Sequence, residues 1–337
     1  MSEKPLTAPL NITICDDSRM AQRQLARTMQ HWNATIHFAS DGREAIAAVK
    51  AGRAQLLFLD LNMPHMDGFE VLETILAQDL VTQAIVVSSD MQAHTQQRIK
   101  ELGALGFIQK PTNSDTLLTK VRELVSQLEI EQSSEIIIDE RDFDLTREEY
   151  FQETANIAMG QAGQRLSLLF DVPIQLSIPA VSMIATSELY MMLKGNSEDS
   201  FCSVISQGFV GGGVKGESIF IVDRASLPHI AKVLGQSEHL ARDVERDILV
   251  DVSGLLSGSF LKSYFEQLGI DQINQGIPSF LGFKGQLEHL NCSNTQRQAL
   301  AIEVSYTIPS EGIQCELLLV FTTDSLTSMH QRSELMQ

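Results

Sequence analysis

Basic residues are scarce in this sequence: 25 Lys and Arg stand against 43 Asp and Glu in 337 residues, a net charge of -18. Nucleic acid and anionic membrane surfaces are gripped by clustered Lys and Arg, so both are excluded as principal partners. Cysteine is sparse as well. The four cysteines (Cys15, Cys202, Cys292, Cys315) lie far apart with no CxxC pair, which excludes a disulfide framework and indicates a reducing compartment. No apolar run of the roughly 18 residues a membrane span needs occurs, and "MSEKPLTAPLNITIC" has no long apolar stretch behind a basic region. Neither insertion nor a secretory leader is expected, and the expected location is the cytoplasm. The eight histidines contain no HExxH, and His289 near Cys292 is too sparse for zinc. A GxGxxG at Gly211, Gly213 and Gly216 lies between strand-like runs and opens no helix, which excludes a dinucleotide site in favour of a glycine-rich hairpin or bulge.

What is present is ordinary globular material, 43% hydrophobic and 20% charged, at a length that favours two domains. Up to Leu128 the strand-like runs "NITIC", "TIHFA", "QLLFLD", "AIVVSS" and "GFIQ" alternate with helical patterns near 18–31, 43–51, 68–79, 93–102 and 114–128. Five βα units predict an α/β, doubly wound, five-stranded parallel sheet of the flavodoxin-like kind, with its site at the carboxyl ends of the strands. Those ends carry Asp16 and Asp17, Asp60, Ser88, and Lys110 before Pro111. Carboxylates gathered from separate strands repel unless a cation joins them, and hard oxygen ligands with room for water suit Mg²⁺. Asp60 beside such an ion can accept a phosphoryl group, with Lys110 and Ser88 holding its oxygens. Taken singly, each aspartate can instead cap a helix, Phe107 can be plain core, and Lys110 can be a solvated charge.

Taken in order, "CDDS", "LDLNMPHMDG", Ser88 and "GFIQKP", with 22 residues from Ser88 to Lys110, resemble a response-regulator receiver (CheY-like) domain over residues 1–128. The resemblance implies phosphorylation on Asp60, and Mg²⁺ held by Asp17, Asp60 and the Asn62 carbonyl, with Asp16 acting through the metal's water. It further implies a switch at Ser88 and Phe107, a sensor histidine kinase as donor, and a cis bond at Lys110–Pro111.

Residues 129–145, dense in acidic side chains, are predicted as a linker with a short strand near Ile136–Ile138. Beyond it the order helix, strand, long β-rich stretches and helix occurs twice. Sliding the chain by 98 residues lays "DVSGLLSGSFLKSYFEQLGI" over the stretch beginning "ETANIAMGQAG". An α+β domain with an internal pseudo-twofold repeat is predicted over 146–331, its halves about 146–240 and 241–331. Glu153 and Asn156 are i,i+3 on the first helix, about 60° apart around its axis. They are read as a polar edge beside a buried stripe of Ile157, Leu166, Leu169 and Phe170. The alternative is a solvated face continuing a capping box, Thr146-x-x-Glu149.

This half resembles the CheC/CheX/FliY family of chemotaxis phosphatases. Glu153, Asn156 and Pro179, with 22 residues between the last two, match its signature, and Glu149 stands at the family's leading Asp or Ser. The resemblance implies that Asn156 holds a water in line with a receiver's aspartyl phosphate, that Glu153 pairs with that receiver's lysine, and that this half needs no metal of its own. The second copy has Asp247, Asp251 and Gly254 at these places, with Pro278 displaced by one. Because glycine has nothing to position a water with, that site is expected to be inactive. The expected partners are a phosphorylated CheY-like receiver, chemotaxis or flagellar proteins, and a second copy of the chain. Two functions follow: an aspartyl-phosphate phosphatase under receiver control, or a non-enzymatic adaptor whose docking is phospho-regulated.

Overall fold

The computed structural model describes residues 9–29, 32–90, 92–110, 119–121, 123–124, 137–138, 147–185, 202–236, 242–283 and 298–336. The predicted Lys110–Pro111 cis bond, much of the 114–128 helix and of the linker, Thr146 of the capping box, and the His289–Cys292 pair lie outside them. The chain divides into two compact units, Met1–Glu149 and Tyr150–Gln337.

In the first unit β1 (Leu10–Cys15), β2 (Ala34–Ala39), β3 (Leu56–Leu59), β4 (Gln83–Ser88) and β5 (Gly106–Gln109) are parallel, in the order β5-β4-β3-β1-β2. That is the flavodoxin-like order with its switch point between β1 and β3. Every residue of β3 is buried, as a strand covered on both faces must be. Alternation sends Leu56 and Phe58 into one core, with Ile12, Ile36 and Trp32, and Leu57 and Leu59 into the other, with Ile46, Val71 and Val86. The helices are α1 (Arg19–Thr28), α2 (Gly42–Lys50), α3 (Gly68–Ala77) and α4 (Ala93–Glu101). The first three start on side-chain caps: Ser18, Asp41, and Asp67 in a capping box with Glu70.

The sheet also gains a sixth strand beyond the five βα units. Linker residues β6 (Ile137–Ile138) pair in parallel with Thr35 and Ile36 of β2, occupying hydrogen-bonding groups that an edge strand leaves open.

The second unit begins at Tyr150 within α5 (Arg147–Phe170) and runs on through β7 (Gln175–Leu176), β8 (Ala180–Ala185), β9 (Cys202–Gly211), β10 (Val214–Asp223) and α6 (Leu227–Val233). It continues with α7 (Arg242–Gln267), β11 (Asn274–Gln275), β12 (Ser279–Phe283), β13 (Gln298–Ile308), β14 (Ile313–Phe321) and α8 (Thr323–Met336). An antiparallel sheet in the order β11-β9-β10-β14-β13-β7 carries β12 on β9 and β8 on β13. Between β9 and β10, Gly212 and Gly213 form a two-residue turn with φ of 55° and 83°, so the glycine run is hairpin chemistry. Helix α7 is clamped on the sheet by Phe260, Leu261, Tyr264 and Phe265, each 0% exposed. Tyr264 and Phe265 extend into an aromatic cluster with Phe209 and Phe321.

Candidate functional site

The register of the parallel strands builds the first site. Cys15 pairs with Leu59 across β1 and β3, and Ser88 with Gln109 across β4 and β5. One residue further on, Asp16, Asp60 and Lys110 therefore emerge at the same end of the sheet. There Lys110 Nζ lies 2.6 Å from Asp16 Oδ2 and 3.0 Å from Asp60 Oδ1, with all three side chains no more than 12% exposed. Ser88 is fully buried beside them in sequence register, its carbonyl accepting from Lys110 N at 2.9 Å and its Oγ from Asp90 N at 3.2 Å. Phe107 is half-buried against the core cluster that contains Leu59 and Val86.

The loop after Asp60 is closed by main-chain N–H donors. Asn62 N donates to Asp60 Oδ2 at 2.8 Å, and Gly68 N donates to the Leu61 carbonyl at 3.0 Å. A Cβ at Gly68 would stand 2.3 Å from the Asp60 carbonyl oxygen. The glycine that ends "LDLNMPHMDG" is therefore a packing requirement: α3 starts directly against the Asp60 backbone. Asp16 Oδ1 accepts from Ser18 N at 2.9 Å, which ties the acidic pair to the cap of α1.

Among the described residues no group of three or more His, Cys, Asp and Glu side chains is already gathered at metal-binding spacing. Two carboxylates are, however, held on one cation, and the residues at this end number three carboxylates (Asp16, Asp17, Asp60) to one ammonium. Hard oxygens with an excess of negative charge fit a hard divalent ion.

In the second unit the predicted residues separate by environment. Glu153 is 3% exposed and buried, so it does not continue a solvated face, while Asn156 is half-buried. Leu169, expected in the buried stripe, is 59% exposed, and Leu168 is 78% exposed. The reason is that α5 is buried around most of its circumference over Tyr150–Met159, whereas its last turn emerges. Glu149 is half-buried in the first turn.

A residue the sequence reading passed over links the others. Gln152 Nε2 donates to Asn156 Oδ1 at 3.2 Å and to the Pro179 carbonyl, while its Oε1 accepts from Val181 N at 3.2 Å. Asn156 and Pro179 are thereby brought together through one side chain. The available signal was an i,i+4 pair of amides on one helix.

In the second copy Asp251 is exposed, Gly254 and Pro278 are half-exposed, and a Cβ at Gly254 would meet nothing within 4 Å. A separate apolar cavity of about 30 Å³, lined by residues including Phe170, Val252, Leu256 and Tyr306, has room for water and not for a substrate.

A doubly wound sheet with an acidic pocket, a lysine and a buried serine at its strand ends defines a class of phosphoryl-accepting signalling domain. Residues 12–122 match the response regulator receiver domain family, and the N-terminal part of the chain is such a domain. Among curated relatives, protein-glutamate methylesterase/protein-glutamine glutaminase 3 of Geobacter sulfurreducens is 31% identical over 156 residues, 45% of this chain and 40% of that protein. The transcriptional regulatory protein TcrA of Mycobacterium tuberculosis is 31% identical over 117 residues, 34% of this chain and 46% of that protein. The chain thus spans less than half the length of these curated relatives. Among solved structures, the chemotaxis protein CheY4 of Vibrio cholerae matches at 29% identity over 35% of this chain and 99% of its own, with a TM-score of 0.32. FliY of Thermotoga maritima matches at 18% identity over 58% of this chain and 100% of its own, with a TM-score of 0.43. Among the described residues no helix is long and apolar enough to cross a membrane.

Proposed function

We propose that this chain is a two-component response regulator phosphorylated on Asp60, whose CheC-like second unit hydrolyses the aspartyl phosphate of a CheY-like receiver, its own or another's. The observation that carries the reading is the pairing of two chemistries on one chain. A buried acceptor carboxylate is held on Lys110, and a helix amide, Asn156, is tied to Pro179 at the signature spacing.

In the first reaction an Asp60 carboxylate oxygen attacks phosphorus of a histidine-kinase phosphohistidine, forming an O–P bond as the P–N bond breaks. Lys110 offsets charge on the acceptor and on the transferred group, and the Ser88 hydroxyl is the expected contact for a phosphoryl oxygen. Asp17, Asp60 and the Asn62 carbonyl would hold Mg²⁺, with Asp16 in support, and the ion would supply charge neutralisation of those oxygens. In the second reaction a water oxygen bonds to phosphorus, the acyl O–P bond breaks, and phosphate leaves a free aspartate. Asn156 contributes by orienting that water, since its amide has no useful proton to exchange. Glu153, as the partner of the receiver's lysine, would fix the register of docking.

Duplication of the second unit is part of the proposal. The strands after α5 pair with β13, and those after α7 pair with β9. Arg165 Nη1 donates at 2.7 Å to Ser263 Oγ, 98 residues on, which is its counterpart in the repeat. A residue touching its own counterpart is what a twofold axis between α5 and α7 produces.

The adaptor reading is favoured by a different observation, the stripped second face. There Gly254 has no side chain, Asp251 is exposed, and Ile277 is 89% exposed. The methylesterase activity named for the Geobacter relative is not carried over, because the match spans 40% of that protein. Labelling with acetyl phosphate and Mg²⁺, read by intact mass, tests the first reaction. One phosphoryl group is expected on the wild type and none on Asp60→Asn, and equal labelling of both would remove Asp60 as acceptor.

A further inference from the structure

Gln152 stands in three hydrogen bonds, and two of them have a fixed sense. The Val181 main-chain N–H can only donate and the Pro179 carbonyl can only accept. The Gln152 amide therefore cannot be turned over: Oε1 faces Val181 and Nε2 faces Pro179. Because Nε2 also reaches Asn156 at 3.2 Å, the Asn156 atom on that side must be its acceptor, Oδ1. Asn156 Nδ2 then occupies the opposite branch of the side chain. Proline at 179 suits this arrangement, since its ring fixes φ and pre-sets the direction of the chain entering β8.

We propose that Gln152 is a positioning residue that reads the backbone polarity at the start of β8 and so sets which end of the Asn156 amide is presented to the phosphorylated partner. The inference rests on the phosphatase reading of Asn156 and adds to it the orientation of the amide.

The second half of the chain supports a role beyond folding. Slid by 98 residues, Gln152 falls on Val250 and Asn156 on Gly254. Helix α7 nevertheless leads into β11 and β12 as α5 leads into β7 and β8. A valine cannot hydrogen-bond to a strand, so the fold forms this helix-to-strand connection without the clip. The clip and the amide it holds are absent together.

The test uses the full-length protein with a phosphorylated single-domain CheY-like receiver as substrate. Gln152→Glu keeps the shape and replaces the donor nitrogen with oxygen, and Gln152→Val installs the residue that the second half tolerates. Both should lower kcat on the order of 100-fold, the scale on which small misplacements act, with KM changed by less than about two-fold. Adding either change to Asn156→Ala should slow the reaction no further. A structural role alone would not move the second readout, the side-chain NH₂ resonances of Asn156. These should shift in Gln152→Glu and Gln152→Val while the backbone spectrum stays folded. Unchanged kcat and unchanged Asn156 resonances would overturn the assignment. If Asn156→Ala is itself as fast as the wild type, the phosphatase reading falls. The resonances then decide alone whether Gln152 orients Asn156: a shift upholds the assignment and no shift overturns it.

Discussion

A single ammonium between two buried carboxylates makes Lys110 the residue on which the receiver pocket depends. Removing it leaves Asp16 and Asp60 facing each other at low exposure, and breaking a buried pair in this way costs about 3–5 kcal/mol. Lys110→Met should therefore lower the unfolding midpoint of the first unit, and added Mg²⁺ should recover more stability in the variant than in the wild type. Thermal melts with and without the ion check both. A second prediction concerns pH. Burial pushes the thiols of Cys15 and Cys315 and the phenols of Tyr264 and Tyr306 upward, Cys315 to about 12, from ordinary values of 9.0 for Cys and 10.0 for Tyr. In the unfolded chain these groups ionise at their ordinary values, whereas the folded chain keeps them neutral. Their contribution is thus complete below about pH 9 and is lost as pH rises above it, at up to about 1.4 kcal/mol per group per pH unit. The midpoint should hold to about pH 8.5 and fall steeply by about pH 10.5. At this scale the receiver residues were legible because five elements recur in order around strand ends. Gln152 was not, because a glutamine on a helix is ordinary until the strand it reaches is known.

Between elements, what decided legibility was how many sides of a helix are covered. Helical periodicity implies one apolar stripe, but α5 is buried around most of its circumference near Glu153 and emerges at Leu168 and Leu169. A helix of that kind carries no single stripe to read. The short strand expected near Ile136–Ile138 is present as β6, but its place on the receiver sheet was not legible, because two residues carry too little alternation to fix a pairing and the open edge of β2 supplies the template. Helix α7 offers a stability prediction. Gly254 sits in the helix interior with open space where a Cβ would lie, whereas a Cβ at Gly258 would meet Gln275 Oε1 at 3.2 Å. Gly254→Ala should stabilise the second unit by about 0.5–1 kcal/mol, raising its midpoint by about 1–4 °C in a unit of this size. Gly258→Ala should gain less, since Gln275 must give way. If Gly254→Ala is destabilising, the helix backbone at that point has a use the fold alone does not explain.

Over the whole chain the acidic balance follows from residue counts alone, and a division into two units was expected from the length and from the change of rhythm after Leu128. The choice between the two helices of the second unit comes from comparing the chain with itself, since Asn156 falls on Gly254. The proposed function, a phosphoryl acceptor on one chain with a unit that removes phosphoryl groups, depends on Asn156. The decisive measurement is the single-turnover decay of a phosphorylated CheY-like receiver mixed with full-length wild type, Asn156→Ala or Gly254→Ala protein in Mg²⁺. Accelerated decay is expected with wild type and Gly254→Ala, and with Asn156→Ala a return to the receiver's unaided rate. Equal decay with wild type and Asn156→Ala would contradict it and leave the second unit a docking module.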